Sequence, residues 1–395
     1  MGKRLDLKGL LADGRADLPK MLRLLRQAVG IESPSHSQPD VNRMAHFFAR
    51  EFQLHGARVR LLPHRTAGSA LLADFLAKRR QRGSSELRPE EISSRPILVL
   101  GHLDTVWDVG TLQHMPFRIE AGRAYGPGIL DMKSGIVCGL WAIHMINAAR
   151  IWPRAPVRFF LNSDEETGSH AFRREIEREA CRARAVLVLE PAAARGALKT
   201  SRKGVGEFQI TVHGRSSHAG INPEAGVNAI TELARQILRI EKFSQPRRGT
   251  TLNPGVIEGG TRPNVVPEFA RVRIDVRVPH LAAAQAIERK ILSLEAFHPK
   301  ARLEIIGSIN RPPMERKMAV ALWRQARQLG RQLGMDLDEA ATGGGSDGNF
   351  TAALGIPTLD GLGGVGDGAH AREEHIIINE LPRRAALLAG LFLTV

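Results

Sequence analysis

Residues 157–168 read Val-Arg-Phe-Phe-Leu-Asn-Ser-Asp-Glu-Glu-Thr-Gly. A short run of aromatic and aliphatic residues passes directly into three successive carboxylates and a glycine. Apolar runs of this length, bounded by turn residues, read as strands. Near-continuous apolarity suits a strand covered on both faces, as in a parallel sheet. Two other stretches share the form, 96–101 and 185–189. The first runs into His102-Leu103-Asp104-Thr105, and the second ends in Glu190-Pro191. Helix-like stretches at 135–149 and 169–184 separate these runs. That alternation predicts an α/β fold with a mainly parallel, helix-covered sheet. Amphipathic helices are expected at 17–29 and 40–55, and a buried terminal helix at 385–395.

The middle of the chain changes character. Strand patterns at 207–213, 251–258, 271–278 and 301–306 are interleaved with helical patterns at 228–243 and 281–297. In order this is βαββαβ, the ferredoxin-like arrangement. After Pro312-Pro313 the first pattern resumes. The expected organisation is one α/β domain assembled from residues 1–203 and 312–395. A smaller α+β domain, residues 204–311, is inserted into it.

Composition narrows the function. With 43% hydrophobic and 25% charged residues among 395, the chain has a globular balance. The net charge of +15 raises nucleic acid as a partner, but 45 of the 56 basic residues are arginines spread along the chain. The densest cluster, Lys78-Arg79-Arg80-Gln81-Arg82, opens a polar stretch to residue 95 that reads as a surface loop. No zinc-finger, basic-zipper or aromatic-plus-basic strand pattern accompanies it, so no nucleic-acid partner is expected. An arginine-rich solvated surface, or attraction of anionic substrates, is the simpler account. Two cysteines make no disulfide framework. No run approaches the 18 or more apolar residues of a membrane span, and the first 20 residues lack a secretory apolar core. A soluble, cytoplasmic protein with no membrane partner is expected.

The chemistry gathers at the strand ends. A glycine-rich turn, residues 125–135, delivers Asp131 just before an apolar helix, and a second, 361–368, leads into His370. In open α/β sheets ligands bind at the carboxyl ends of strands. Here those ends carry histidines and several carboxylates, and burying that many carboxylates without a cation is heavily penalised. Histidines mixed with carboxylates suit zinc or a similar divalent ion better than calcium or magnesium. One carboxylate between two ions can bridge them across about 3.5–4 Å. The adjacent pair Glu165-Glu166 can divide two duties, one ligating an ion and the other acting as a base.

The motifs GHLDTVW, GPGILDMKSG, NSDEETGS, LEP, GRSSHAG, RPNVVP, TGGGSDGNF and GAHAREEHI occur in order from about residue 97 to 380. As a set they resemble the co-catalytic zinc metallopeptidases of the glutamate carboxypeptidase, aminoacylase and acetylornithine deacetylase family. The resemblance implies two Zn2+ per subunit, replaceable by Co2+ or Mn2+, held by His102, Asp131, Glu166, Glu190 and His370, with Asp131 bridging. It implies Glu165 as general base and acid, Asp104 orienting a ligand histidine, and a non-proline cis peptide at Asp131-Met132. The inserted domain would mediate a homodimer and send His218 into the partner's active site. Asn264 and Arg277 would hold the substrate's carbonyl region and carboxylate, the latter through a planar guanidinium fork. Gly343 to Gly345, with Gly344 at the centre, would allow close backbone approach to a ligand. Apart from the resemblance, Arg311 sits at the return to the first domain, where it reads either as a hinge surface residue or as a contact for an acidic substrate. The implied reaction is hydrolysis of an amide bond beside a free carboxylate, in a small peptide or N-acyl amino acid. The GGGSDGNF motif favours the glutamate carboxypeptidase branch, and deacylation of an N-acyl amino acid is the alternative. Lys199 is the nearest candidate for the lysine that glutamate-specific relatives use. His144 reads as a packed or surface histidine, and Arg202-Lys203-Gly204 as a charged hinge.

Overall fold

The three apolar runs form neighbouring strands. Ile97–His102 lies between Val157–Asn162 and Ala185–Val188 and pairs with both in parallel, with His102 opposite Asn162. The computed structural model describes residues 6–75 and 95–395. The basic stretch from residue 78 therefore lies outside the described residues, except Arg95, whose guanidinium donates to the Ala183 carbonyl at 2.7 Å. Thr358–Leu359 extends the sheet in parallel beside Ala185–Val188. On the other side an antiparallel hairpin, Arg58–Leu62 and Ala70–Phe75, completes six strands. The sequence reading assigned no strand to this hairpin. Arg58–Leu62 is a half-exposed edge strand of alternating arginine and aliphatic residues, a weaker pattern than a buried run.

Side chains of one strand serve opposite faces. Phe160 packs on Phe172 (ring centroids 6.4 Å apart), beside the helix Arg173–Arg182. Its neighbour Phe159 meets Phe52 and Phe392 of the helices Gln38–Leu54 and Leu381–Thr394. Both phenylalanines are fully buried, each stabilising the fold by roughly 1.5–3 kcal/mol. The helix Ser134–Ala148 is apolar around its circumference and almost wholly buried, as expected of an interior helix. With the turn before it, the segment Ile129–Ala148 is long and apolar enough to cross a membrane, but 89% of its most apolar window is buried inside the protein. The sequence reading places a helix at 135–149; the structure adds the preceding turn, which contains Asp131 and Lys133. His144 on this helix bonds Asp17 at 3.1 Å and stacks near Trp141 and His55.

Two glycines let this helix and the 361–368 turn approach the end of the strand Ala185–Val188 closely. A Cβ on Gly135 would stand 2.1 Å from the Leu189 carbonyl oxygen, and one on Gly363 would stand 2.0 Å from the same atom. Both elements therefore pack backbone to backbone at the residue before Glu190.

Contacts divide the chain into two compact units. One comprises Met1–Ser201, Arg316–Thr342 and Ser346–Val395, and the other Arg202–Glu315 with Gly343–Gly345. The second unit has a four-stranded antiparallel sheet in the order Thr251–Gly259, Phe269–Val278, Gly204–His213, Arg302–Arg311. Helices Ala229–Glu241 and Leu281–Leu292 complete βαββαβ. Alternate residues of its strands, including Phe208, Ile210, Val272 and Ile274, join helix residues Leu233 and Ile287 in one core.

Candidate metal centre and active site

Parallel strands bring their carboxyl ends to one edge, and here those ends bear His102, the 163–168 turn and Glu190. Two triads form. His102, Asp131 and Glu190 offer ligand atoms within 4.8 Å of one another, and so do Asp131, Glu166 and His370. Asp131 belongs to both. Its Oδ1 lies 3.1 Å from His102 Nε2, and its Oδ2 lies 3.4 Å from His370 Nε2. Glu190 Oε1 is 3.6 Å from His102 Nε2, and Glu166 Oε2 is 3.3 Å from His370 Nε2. His102 is buried, whereas the His370 side chain is half exposed.

The electrostatics show what such a cluster requires. Burial works against a charge on His102, but Asp104 and Asp131 outweigh it and hold the imidazole pKa well above the usual value. The Asp131 and Glu166 carboxylates push His370 up to about 10. Burial tends to raise the Asp131 carboxyl, yet the two histidines hold it far below the carboxylate range. Burial, reinforced by Asp131 and Asp104, pushes Glu166 up, and its buried Oε1 has no protein partner. Positive charge is thus demanded on both sides of Asp131. Two imidazoles and three carboxylates fit a borderline divalent ion.

Neighbouring groups fix the geometry. The Asp104 carboxylate is buried; its Oδ1 accepts from Glu165 N at 3.2 Å, and its Oδ2 from Glu166 N at 3.1 Å and Ser35 Oγ at 2.7 Å. His102 Nδ1 meets the Asp104 backbone carbonyl at 2.9 Å, while the carboxylate stands 3.5 Å away. The carboxylate's shorter contacts therefore go to the Glu165-Glu166 turn, a role the sequence did not suggest. Glu165 is buried beside Glu166 on that turn. Asn162 Nδ2 donates to Ser169 Oγ (3.0 Å) and Asp347 Oδ2 (2.8 Å), closing the same turn from below. Thus the Ser346-Asp347 half of the GGGSDGNF motif supports the turn, with Ser346 Oγ donating to Asp360 at 2.6 Å. The Asp131-Met132 peptide is cis.

Glu374 was missed by sequence reasoning. It is fully buried and accepts from Trp107 Nε1 and from the backbone N–H groups of Gly128, Leu130 and Asp131, at 2.8–3.0 Å. Burial pushes its carboxyl pKa up against those four donors.

The other predicted residues lie in the second unit, apart from Lys199. Ser217–His218 pairs with Val265–Val266, and Ala219 N donates to the Asn264 carbonyl at 3.0 Å, so His218 and Asn264 adjoin. His218 is exposed, and its Nδ1 accepts from Gly220 N (3.2 Å) and Ile221 N (3.1 Å). Two donors on Nδ1 place the proton of the neutral ring on Nε2. Arg277 Nε donates to Asp275 at 2.9 Å, with Nη1 3.5 Å from the Gly343 carbonyl. Arg202 Nη1 donates to the carbonyls of Gly344 (3.3 Å) and Gly345 (2.9 Å). Arg311 is buried, with its Cδ against Gly345. Lys199 lines a pocket of the first unit with Arg195, Trp323 and Arg327.

Fold and edge define the class, a metal-dependent hydrolase of peptide or amide bonds. Within it, the chain belongs to peptidase family M20/M25/M40, whose sequence profile matches residues 98–394. It is similar to carboxypeptidase G2 of Pseudomonas sp. (strain RS-16), 29% identical over 389 residues, 95% of this chain and 89% of the relative. It is also 27% identical over 331 residues to succinyl-diaminopimelate desuccinylase of Dechloromonas aromatica, covering 77% and 85%. Among solved structures, aminopeptidase PepT of Bacillus cereus superposes with a TM-score of 0.72 at 20% identity, covering 95% of this chain and 98% of that one. YXEP of Bacillus subtilis, described as a dinuclear metal-binding peptidase of family M20, gives 0.67 at 13% identity, covering 96% and 98%.

Proposed function

We propose that the protein is a two-metal hydrolase of the glutamate carboxypeptidase type, cleaving the amide bond of a peptidyl or N-acyl amino acid that carries a free carboxylate. The observation that carries the reading is the sharing of Asp131, one oxygen toward each triad. His102, Asp131 and Glu190 would hold one divalent ion, taken to be Zn2+, and Asp131, Glu166 and His370 a second. Such ions supply Lewis acidity, lowering the pKa of water and polarising a carbonyl. Glu165, anchored through its N–H to Asp104, takes the proton of the attacking water and returns it to the departing nitrogen. His218, protonated on Nε2, donates to the developing oxyanion in the site of a second copy, so the active form is a homodimer. Arg277 and Asn264 receive the substrate carboxylate and carbonyl region, with Arg311 and Gly344 beside them. An anionic substrate also suits the net charge of +15 and a cytoplasmic setting. The similarity to carboxypeptidase G2 over 95% of the chain supports the peptidase branch over the deacylases.

The test combines metal analysis with a panel of dipeptides and N-acyl amino acids bearing free carboxylates. Two divalent ions per chain, activity lost on chelation and restored by Zn2+, and turnover of the peptides above the acylated set are expected. Undiminished activity in metal-free protein would refute the mechanism. Preference for N-acyl amino acids would move the protein to the deacylase branch.

A further inference from the structure

We propose that Glu374 is a positioning residue for the metal centre, a single buried carboxylate that joins the three chain segments bearing His102, Asp131 and His370. The inference rests on the two-ion reading above. Oε2 accepts from Trp107 Nε1 at 2.8 Å and from Gly128 N at 2.9 Å, and Oε1 from Leu130 N at 2.8 Å and Asp131 N at 3.0 Å. Trp107 lies five residues after His102 and three after Asp104. Gly128, Leu130 and Asp131 form the turn that presents the shared ligand. Glu374 itself follows His370 by four residues, its N–H returning to Ala371 O at 2.9 Å.

Backbone pairing already holds two of these segments in register, His375–Ile377 against Arg123–Tyr125 with Gly126 N donating to the Glu374 carbonyl at 3.4 Å. The Glu374 side chain adds the third through Trp107. Gly128 sits at φ +68°, and a Cβ there would stand 2.6 Å from the Thr105 methyl. At Gly128 the turn is therefore pressed against the 102–107 segment with no room for a side chain. Lys133 is also buried, with Nζ bonded to the carbonyls of Ile31 (3.0 Å) and Pro127 (3.2 Å). Its charge is close enough to Glu374 to offset the buried carboxylate electrostatically. A carboxylate with four donors and a nearby cation is a satisfied buried group. Because its donors come from separate segments, moving it moves Asp131 relative to both histidines. Ligands of a metal tolerate such displacement poorly, and loss of an outer partner typically costs about 10–100-fold in metal affinity or activity.

The experiment is Co2+ titration of the metal-free full-length protein, followed by calorimetry and by the visible spectrum of the bound ion. Wild type is compared with Glu374→Gln and Trp107→Phe. The Gln amide keeps one acceptor but turns an NH2 toward two N–H donors, so affinity should fall about 10–100-fold with a shift in the visible bands. Trp107→Phe, at a half-buried position, removes one anchor and should give a smaller change of the same kind. A Glu374→Gln protein that melts earlier yet binds Co2+ with wild-type affinity and spectrum would make Glu374 a residue of the fold alone and overturn the inference. If Glu374→Gln fails to fold, unchanged affinity and bands in Trp107→Phe overturn it equally. A wild-type protein that binds no Co2+ would refute the two-ion reading itself, a result distinct from both.

Discussion

Replacing Asp104 by asparagine preserves side-chain volume but leaves one accepting oxygen where there were two. In the native protein one oxygen takes the Glu165 N–H and the other takes the Glu166 N–H and the Ser35 hydroxyl. The hydroxyl can rotate and accept from the new NH2 group, but a backbone N–H cannot. Whichever way the amide turns, one backbone N–H of the Glu165-Glu166 pair loses its acceptor in a buried setting. Leaving such a donor unsatisfied costs about 1–3 kcal/mol. The same donor fixes the turn that carries the proposed base and one proposed ligand, so the kinetic effect should exceed what stability alone explains. A loss of about 10–100-fold in kcat/KM at saturating metal is expected. Urea denaturation of the metal-free proteins gives the first quantity, and initial rates on one good substrate give the second. An Asp104→Asn variant within about 0.5 kcal/mol of wild type, the range of an inconsequential surface change, and with unchanged turnover would refute the argument.

Glu165→Gln should retain fold and metal content while losing roughly 10²–10⁴-fold in kcat, because the amide cannot accept a proton; more than about a tenth of the wild-type rate would point to another base. Gly135→Ala forces a methyl into the Leu189 carbonyl, where backbone cannot yield cheaply; a loss of at least about 1–3 kcal/mol is expected, and a stable, fully active variant would show that the close approach is dispensable. His218→Ala should cost about 10²–10³ in rate, and mixing it with Glu165→Gln under verified subunit exchange should partly restore activity. A mixture as inactive as its parents would place His218 in its own subunit's chemistry or in none.

Much of this was legible because burial writes itself into apolar runs. Residues 96–101, 157–162 and 185–189 announced their strands, and the residues that follow each run announced the reactive edge. The βαββαβ order of the second unit was equally plain, since Phe208, Ile210, Val272 and Ile274 alternate with polar neighbours. The hairpin at Arg58–Leu62 was not legible, because an edge strand beside solvent carries a diluted pattern. Glu374 was not legible either. In sequence it is one of two glutamates before His375, and only folding brings Trp107 and Gly128 to it. The Asp104 carboxylate holding two N–H groups from a turn some sixty residues later is invisible for the same reason: the donors are backbone, and every residue has one.

Sharing Asp131 between the two triads also determines a charge balance. Three carboxylates facing two divalent ions leave one positive charge over, whereas a separate aspartate for each ion would have cancelled it. With its five protein ligands the proposed centre would therefore carry a positive charge when loaded, and would favour an anion as its sixth. Hydroxide and a substrate carboxylate would compete for that residual charge. Simple anions such as phosphate or sulfate would then act as inhibitors, growing weaker as pH rises and hydroxide takes their place.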